Sequence, residues 1–262
     1  MQQISSKDNN FIKKKKKLKE KKYRDEYNEF IIEGIKMINE AIKEDAKIKK
    51  IIFNESFIKN NDIEQFLNKN IAEKDLICVP DSIFRIITEV DSPQGILSIV
   101  ERKIEGNIDL LEDEILIALD DLQDPGNLGT ILRTADSANI KNILVSKGTV
   151  DGYSSKVVRS TMGAIFRTKI IECENLKKSL EILGNKGYNI IVTSLDAKKT
   201  IYDIEYKKSI IVIGNEAKGV SKEIKELTTN NVIIPMLGNT ESLNASVAAG
   251  IIIYEYVRQK IK

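Results

Sequence analysis

The second half of the chain alternates between short apolar runs and segments with helical spacing. Five apolar runs predict strands, at 115–121, 142–146, 189–194, 209–214 and 231–235. The segments between and after them predict helices, at 127–138, 152–164, 175–186, 220–227 and 242–260. Continuous apolar strands separated by helices are typical of a parallel sheet that is covered on both faces. The pattern therefore predicts an α/β domain over residues 115–262.

The first half predicts a smaller α/β domain over residues 25–104. Its expected elements are a helix at 28–45, a strand at 48–54, a helix at 63–69, a strand at 75–80, a helix at 82–89 and a strand at 94–102. In the first helix, apolar residues recur with helical spacing beside a solvent face of Glu and Lys. The acidic segment 105–114 contains a Gly-Asn turn and is expected to link the two domains.

Positive charge is concentrated at the start of the chain. The whole chain has a net charge of +2, whereas residues 1–24 alone carry about +8. Two interpretations of this segment stay open: a solvated tail, or an arm that neutralises RNA phosphates. The RNA-binding candidates in it form one run, Lys13, Lys14, Lys15, Lys16 and Lys17.

The residue inventory excludes several kinds of chemistry. The chain has no histidine, which removes Ser-His-Asp and Cys-His catalysis and the zinc sites that use imidazole. Cys78 and Cys173 lie far apart in apolar surroundings and are expected to be reduced core residues. The longest apolar run, at 247–253, is far shorter than the roughly 18 residues of a membrane span. We therefore expect a cytoplasmic protein, and we predict no metal site.

Three loops rich in Gly, Asn or Glu follow the strands that begin at 115, 209 and 231. Open parallel sheets bind ligands beyond the carboxyl ends of their strands, so these loops predict one shared pocket. In GNEAKGVS (214–221), Val220 stands where a P-loop has its phosphate-binding lysine, which argues against a nucleoside triphosphate. GNLGTI (126–131) lacks the third glycine of a dinucleotide fingerprint. In TESLNAS (240–246), Thr240 or Ser242 is the expected helix N-cap.

The set of loops, in this order, matches a known family. The sequence resembles the SpoU family of RNA ribose 2′-O-methyltransferases, within the SPOUT class. The matching segments are DDLQDPGNLGTILRTAD (120–136), IVIGNEAKGVS (211–221), IIPMLGNTESLNASVAAGIIIYE (233–255) and VVRSTMGAIFR (157–167). FIIEGIKMINEAI (30–42) is similar to the opening of the family's substrate-binding domain. The resemblance implies a parallel-sheet domain with a deep trefoil knot, preceded by a small α/β substrate-binding domain similar to a ribosomal protein.

The resemblance also implies a cofactor and an assembly. S-adenosylmethionine would bind in the knotted loops, largely through main-chain groups, at positions matching Gly214, Ile234 and Leu243. Members of the family usually form homodimers. The last predicted helix has more apolar surface than one buried face needs, which is compatible with burial in a dimer.

Methyl transfer to a ribose requires that a poorly nucleophilic hydroxyl be aligned and that charge be stabilised as its proton leaves. Arg133 matches the family's essential arginine, and its permanent charge suits electrostatic assistance better than proton abstraction. By family position, Asn127 would orient the loop or the ribose, and Glu216 would hold Arg133 or the Asn127 loop. Ser242 and Asn244 would supply uncharged hydrogen bonds to the substrate or the loop.

The expected function is S-adenosylmethionine-dependent methylation of a ribose 2′-hydroxyl in ribosomal RNA. A separate substrate domain favours ribosomal RNA over transfer RNA within the family. Two alternatives stay open: a transfer-RNA 2′-O-methyltransferase, and a non-catalytic RNA-binding or ribosome-assembly protein. Arg159 and Thr161 either belong to an amphipathic helix with a structural role or contact RNA phosphates.

Overall fold

The chain divides into two compact units. A computed structural model describes residues 1–66, 71–103 and 106–261. The N-terminal unit consists of Met1–Lys103 together with Tyr153–Phe166, and the C-terminal unit of Ile104–Gly152 together with Arg167–Lys262. A short segment from the second half of the sequence therefore belongs to the N-terminal unit, an arrangement that the sequence did not predict.

The N-terminal unit is built on a five-stranded mixed sheet. Its strands are β1 (Gln2–Gln3), β2 (Glu29–Glu33), β3 (Ile48–Asn54), β4 (Leu76–Val79) and β5 (Ile96–Glu101). The strand order is β1-β4-β3-β5-β2, with β1 and β3 parallel to β4, and β5 antiparallel to both β3 and β2. The helices are α1 (Asn10–Lys17), α2 (Lys21–Tyr27), α3 (Ile35–Lys43), α4 (Glu55–Asn60) and α5 (Asp81–Ile87).

The predicted helix over 28–45 is wrong in its first part. Phe30 and Ile32 are buried and alternate with partly exposed residues, which is the period of a strand, and β2 pairs antiparallel with β5. Gly34 follows with a φ of +91°, a conformation that strains any residue with a side chain, and α3 begins after it. The predicted helix at 63–69 falls partly outside the described residues; its described part contains a 3-10 turn at Glu64–Phe66.

The basic N-terminal segment is folded, so its interpretation as a solvated tail is wrong. β1 pairs with β4, and two helices follow it. Ile4, Ile12 and Leu18 are buried in the same apolar cluster as Ile52 and Leu97 of the sheet. These three apolar residues are the local signal of folding, and the density of lysines around them concealed it.

The C-terminal unit is built on a seven-stranded sheet in which every described strand pair is parallel. Its strands are β6 (Ile115–Asp120), β7 (Asn142–Ser146), β8 (Lys169–Cys173), β9 (Asn189–Thr193), β10 (Lys199–Thr200), β11 (Ser209–Gly214) and β12 (Asn230–Ile233). The order across the sheet is β10-β12-β9-β11-β6-β7-β8. The predicted parallel α/β fold is confirmed, although β8 and the two-residue β10 were not predicted.

Every residue of β6 and β11 is buried, so both faces of the centre of this sheet are covered. The helices of the second half are α6 (Pro125–Ser137), α7 (Ser155–Ser160), α8 (Leu176–Asn185), α9 (Lys222–Lys225) and α10 (Ala245–Lys260). Of these, α7 belongs to the N-terminal unit. It begins at Ser155 and ends at Ser160, inside the predicted range 152–164, and the positive φ values of Met162 and Gly163, 51° and 97°, prevent the helix from continuing.

Cys78 and Cys173 are both buried and form no disulfide with each other, as the sequence predicted. Across residues 1–66, 71–103 and 106–261, no helix is long and apolar enough to cross a bilayer. The cytoplasmic location and the deep trefoil knot stay predictions.

Candidate active site

A cavity of about 480 Å³ lies in the C-terminal unit, beyond the carboxyl ends of β9, β11 and β12. The loops after these three strands form its walls, and the start of α10 completes it. Its lining comes from 193–196, 213–220, 232–234 and 241–243, together with Lys225, Met236, Ala245 and Ala248. Two of the three loops predicted to share a pocket, those after β11 and β12, therefore do so.

The loop after β9, at 193–196, was missed. Its sequence, TSLD, has no glycine and no familiar ligand motif. The sheet order explains its role, because β9 lies between β12 and β11, and its carboxyl end must open into the same cavity. Strand order depends on contacts between distant parts of the chain, and local patterns do not reveal it.

The loop after β11 is a tight turn that closes on itself. Asn215 and Gly219 exchange two backbone hydrogen bonds, of 3.1 and 2.9 Å. The Asn215 side chain accepts further bonds from the amides of Ala217 and Lys218, at 2.9 and 3.0 Å. At Gly214 an added Cβ would lie 2.2 Å from the backbone of Gly219 and Val220. The turn thus brings main chain against main chain where no side chain fits.

The predicted first loop, after β6, does not line the cavity but is bonded to the turn that does. The Glu216 carboxylate accepts hydrogen bonds from the backbone amides of Gln123 and Asp124, at 3.2 and 3.1 Å, and from Asn127 Nδ2, at 3.0 Å. In the opposite direction, Asn215 Nδ2 donates to the Asp121 carbonyl at 2.9 Å. Of the two roles expected for Glu216, the structure shows the contact with the Asn127 loop.

The surroundings of Glu216 favour its charged form. Partial burial acts to raise the pKa of the carboxyl, but the hydrogen bonds from Asn127 and from nearby backbone amides outweigh that effect. The pKa of Glu216 is therefore lowered from its ordinary value. At neutral pH this link is a carboxylate held by three donors, from Gln123, Asp124 and Asn127.

Helix α6 begins earlier than predicted. Asp124 is its N-cap and accepts from the Asn127 amide at 2.8 Å, and Pro125 occupies the first turn, where the lack of an N–H does no harm. Asn127, where the predicted helix began, thus lies within the first turn of the helix. Arg133 lies about two turns from the helix start and is exposed, with no hydrogen-bond or ion-pair partner among the described residues.

The third loop leads into α10, and its cap differs from the prediction. Asn244, not Thr240 or Ser242, is the N-cap, because its side chain accepts from the amides of Ser246 and Val247 at 2.9 and 3.3 Å. Ser242 is exposed and lines the cavity. Asn244 is exposed as well but is not among the lining residues.

The remaining candidates lie in the N-terminal unit. Arg159 is exposed on α7 and donates to Ser155 Oγ. Thr161 is fully buried and donates to the Val158 carbonyl at 2.7 Å, which is a structural contact. Lys15 is also buried, where it pairs with Glu29, in contrast to its four exposed neighbours Lys13, Lys14, Lys16 and Lys17.

The cavity has the size and surface of a site for a small organic ligand. Gly214, Ile234 and Leu243, the three residues expected to contact the cofactor, all line it. Apolar side chains and the main chain of the 214–219 turn make up much of the wall, which suits a nucleoside held largely by backbone groups. Among the described residues, no group of three or more His, Cys, Asp or Glu side chains could hold a metal ion.

A comparison with family models decides the classification. Residues 114–254 match the model described as the SpoU rRNA Methylase family. The chain belongs to this family. A second model, the MRM3-like substrate binding domain, matches residues 9–98. This SpoU-family protein is an S-adenosylmethionine-dependent RNA methyltransferase, and the cavity at the carboxyl edge of its parallel sheet fits that cofactor.

Similar proteins match the chain over different lengths. The 23S rRNA (guanosine(2553)-2′-O)-methyltransferase RlmP of Bacillus subtilis is 32% identical over 97% of this chain and 98% of its own. The crystal structure of the AdoMet-bound rRNA methyltransferase from Sinorhizobium meliloti is 30% identical, covers 98% of both chains and has a TM-score of 0.85. The TrmH/SpoU tRNA modifying enzyme of A. aeolicus is 31% identical but covers only 57% of this chain and 77% of its own, with a TM-score of 0.53.

Proposed function

We propose that this protein methylates a ribose 2′-hydroxyl in large-subunit ribosomal RNA. The observation that carries the proposal is the Glu216 link, which joins the wall of the cofactor cavity to the start of the helix that bears Arg133. Similarity to RlmP over both units supports the choice of ribosomal RNA and of the 2′-hydroxyl. The similarity to a transfer-RNA enzyme is confined to a smaller share of the chain, which supports the same choice.

The residues of the site divide into donor-side and acceptor-side groups. When bound, S-adenosylmethionine supplies a methyl group on a sulfonium. Gly214, Ile234 and Leu243 hold and shape the cavity for it. Arg133, free of partners among the described residues, contacts the phosphate of the target nucleotide and stabilises charge as the hydroxyl loses its proton. Arg133 is assigned to the acceptor side because it is not among the residues that line the cavity.

The polar residues around these groups act as positioning residues. Glu216 holds Asn127 and the start of α6 in place, so that Arg133 is delivered at a fixed distance from the turn. Ser242 offers an exposed hydroxyl at the cavity wall for the substrate. Asn244 orders the start of α10, through which it acts on the third loop. Arg159 offers a further contact for RNA phosphates.

The protein works as a homodimer in this proposal. Helix α10 carries exposed apolar side chains, Val247 and Tyr254, although most of its other apolar residues are buried. Exposed apolar residues seven positions apart lie on one face of a helix and are suited to a second subunit. A sedimentation experiment tests this part, since a monomer at micromolar concentration would contradict it.

The experiment that tests the proposed function compares methylation of ribosomal and transfer RNA. Purified protein is incubated with methyl-labelled S-adenosylmethionine and either RNA, and 2′-O-methyl sites are mapped by their resistance to alkaline hydrolysis. We expect a single labelled ribose in large-subunit RNA and none in transfer RNA, with the initial rate of labelling about 100- to 1000-fold lower for an Arg133→Ala control. Label only in transfer RNA, or label on a base, would overturn the proposal.

A further inference from the structure

We propose that the outer surface of α1 and α2 binds a single-stranded segment of the RNA substrate. This lysine–tyrosine surface consists of Lys14, Lys16, Lys17, Lys22, Tyr23 and Tyr27. The proposal rests on the proposed function, because it assumes that RNA is the substrate. It adds which face of the N-terminal unit binds the RNA and in which form.

The two helices are fixed to the unit by their inner side. Ile12 and Leu18 are buried in the core. Lys15, the one inward-facing lysine of its run, pairs with Glu29, and Arg24 donates to the Leu18 carbonyl at 2.6 Å, which fastens α2 to the end of α1. The remaining lysines therefore project from a folded backbone, which needs no further ordering when a ligand binds.

The outer side combines cations with two half-buried aromatic rings, of which Tyr27 also packs against the apolar cluster of the core. The rings of Tyr23 and Tyr27 are 5.9 Å apart between centroids. The Lys14 ammonium lies 4.1 Å from the Tyr27 ring centroid, and those of Lys17 and Lys22 lie 4.8 and 5.6 Å from the Tyr23 centroid. Aromatic rings surrounded by cations are the pattern of proteins that bind single strands, in which bases stack and phosphates are neutralised.

Most of this positive charge is uncompensated. Lys13 pairs with Asp8 at 3.1 Å, and Lys21 lies 3.6 Å from Asp25, which is also paired with Arg102. The four exposed lysines of the lysine–tyrosine surface, in contrast, have no carboxylate partner among the described residues: Lys14, Lys16, Lys17 and Lys22. Clustered ammonium groups without partners repel one another, and a polyanion relieves that repulsion.

The surface chemistry favours RNA over a lipid membrane. A helix that binds membranes needs large apolar side chains opposite its basic face, available for insertion. None of the large apolar side chains that are exposed in the described chain lies between Asn10 and Tyr27. The apolar residues of α1 and α2 are instead turned into the core. What remains outside is the charge of the exposed lysines and the exposed parts of the Tyr23 and Tyr27 rings.

The test measures how salt affects binding of a 15-nucleotide single-stranded RNA by fluorescence anisotropy. Each phosphate contact contributes about 0.7 to the magnitude of the slope of log K against log salt concentration. The slope should therefore be smaller by about 2 in the triple lysine variant, which combines Lys14→Gln, Lys16→Gln and Lys17→Gln. Its affinity at 0.1 M salt should fall about 100-fold if the affinity extrapolated to 1 M is unchanged. A matched control removes three exposed lysines of the C-terminal unit, with Lys178→Gln, Lys198→Gln and Lys207→Gln, and should keep the original slope.

A second variant tests the rings. Tyr23→Ala should weaken binding by about 5- to 100-fold at every salt concentration without changing the slope, and Tyr23→Phe should bind normally. A triple lysine variant with the original slope would overturn the proposal, as would Tyr23→Ala with full affinity. The proposal would also be overturned if the triple lysine variant lost binding to phosphatidylserine vesicles while its RNA binding was unchanged.

Methyl transfer separates this inference from the proposed function. The triple lysine variant should keep its S-adenosylmethionine affinity and its kcat but require a higher RNA concentration. If the unaltered protein binds RNA through this surface yet methylates no ribose, the proposed function fails and the surface stands. If the unaltered protein methylates ribosomal RNA and the triple lysine variant does so with an unchanged KM for RNA, the proposed RNA-binding surface is wrong and the proposed function stands.

Discussion

Arg133 and Glu216, two charged residues of the proposed site, have opposite surroundings. Glu216 is held by two donors from the loop after β6 and one, Asn127, from the first turn of α6, whereas Arg133 is exposed and has no partner among the described residues. A carboxylate so held is suited to positioning, because its hydrogen bonds are already made. An unpaired guanidinium is suited to a ligand that arrives later.

Replacing Arg133 with Ala should lower the rate of methyl transfer by about 100- to 1000-fold, the usual effect of removing one charge-stabilising group from a transition state. The dissociation constant of S-adenosylmethionine, measured by calorimetry, should stay within about twofold, because Arg133 does not line the cavity. Arg133→Lys, the matched control, keeps the charge without the planar fork and should recover part of the rate. If Arg133→Ala lost rate and cofactor affinity by the same factor, Arg133 would have a structural role instead of a role in methyl transfer.

The lowered pKa of Glu216 predicts how the link between the loops depends on pH. The ionised form is favoured in the folded protein, so its contribution to stability is present above the unfolded-state pKa and is lost as pH falls through the folded-state pKa. NMR shifts of the Gln123 and Asp124 amides should therefore titrate together, below the ordinary range of a glutamate. Glu216→Gln should abolish that inflection. An inflection at or above the ordinary range would contradict the role of the three hydrogen bonds.

At the scale of elements, the site depends on the closed turn after β11. The turn is so tight at Gly214 that main-chain atoms occupy the space of a side chain. Strand β11 ends there, so a disturbed turn would move both the cavity wall and Glu216. The third loop, by contrast, has room around its glycine, since an added Cβ at Gly238 would meet nothing within 4 Å.

This contrast predicts different outcomes for two identical substitutions. Gly214→Ala should weaken S-adenosylmethionine binding at least tenfold and destabilise the fold by about 1–3 kcal/mol, because the added methyl group must displace backbone. Gly238→Ala, the matched control, should bind the cofactor normally and keep its stability within about 0.5 kcal/mol. Calorimetry and urea denaturation provide both measurements. Normal cofactor binding by Gly214→Ala would show that the turn can relax without harm to the site.

Elements were predictable where one local pattern dominated. β6 and β11 were predicted because uninterrupted apolar residues have few other places in a protein than a sheet buried on both faces. Strand β2 was not predicted, because Phe30 and Ile31 also satisfy the helical spacing that continues into α3. Only the pairing with β5 decides between a strand and a helix at these residues. The fold of α1 was hidden for a different reason, because its buried contacts depend on two apolar residues among many lysines.

At the scale of the whole molecule, sequence order and structural membership differ. In the sequence, residues Tyr153–Phe166 come between β7 and β8 of the parallel sheet, yet in the structure they belong to the N-terminal unit. The Tyr153 ring lies 5.0 Å from that of Phe30, and the Arg102 guanidinium lies 4.4 Å from it. The family motifs pointed to two of the loops that line the C-terminal cavity. No local pattern could indicate that Tyr153–Phe166 packs on β2, because packing is decided by residues far apart in the chain.

Replacing Tyr153 with Ala should therefore destabilise the N-terminal unit, although the residue is encoded in the other half. Loss of a buried aromatic side chain costs about 3–5 kcal/mol. Hydrogen exchange should become faster at the β2 amides and change little in β6 and β11. Tyr202→Ala is a matched control, because Tyr202 is 58% exposed, and it should leave exchange in β2 unchanged. Unchanged protection of β2 in Tyr153→Ala would contradict the assignment of this segment.

The bonds between Glu216 and the start of α6 join residues 89 to 93 positions apart. Such distant partners meet slowly, because most of the intervening chain must first be arranged. During synthesis, the residues of the N-terminal unit all leave the ribosome before Glu216 does. A nascent chain would thus acquire its RNA-facing part before it possesses a working methyl-transfer cleft, and it could engage its target while still unable to modify it.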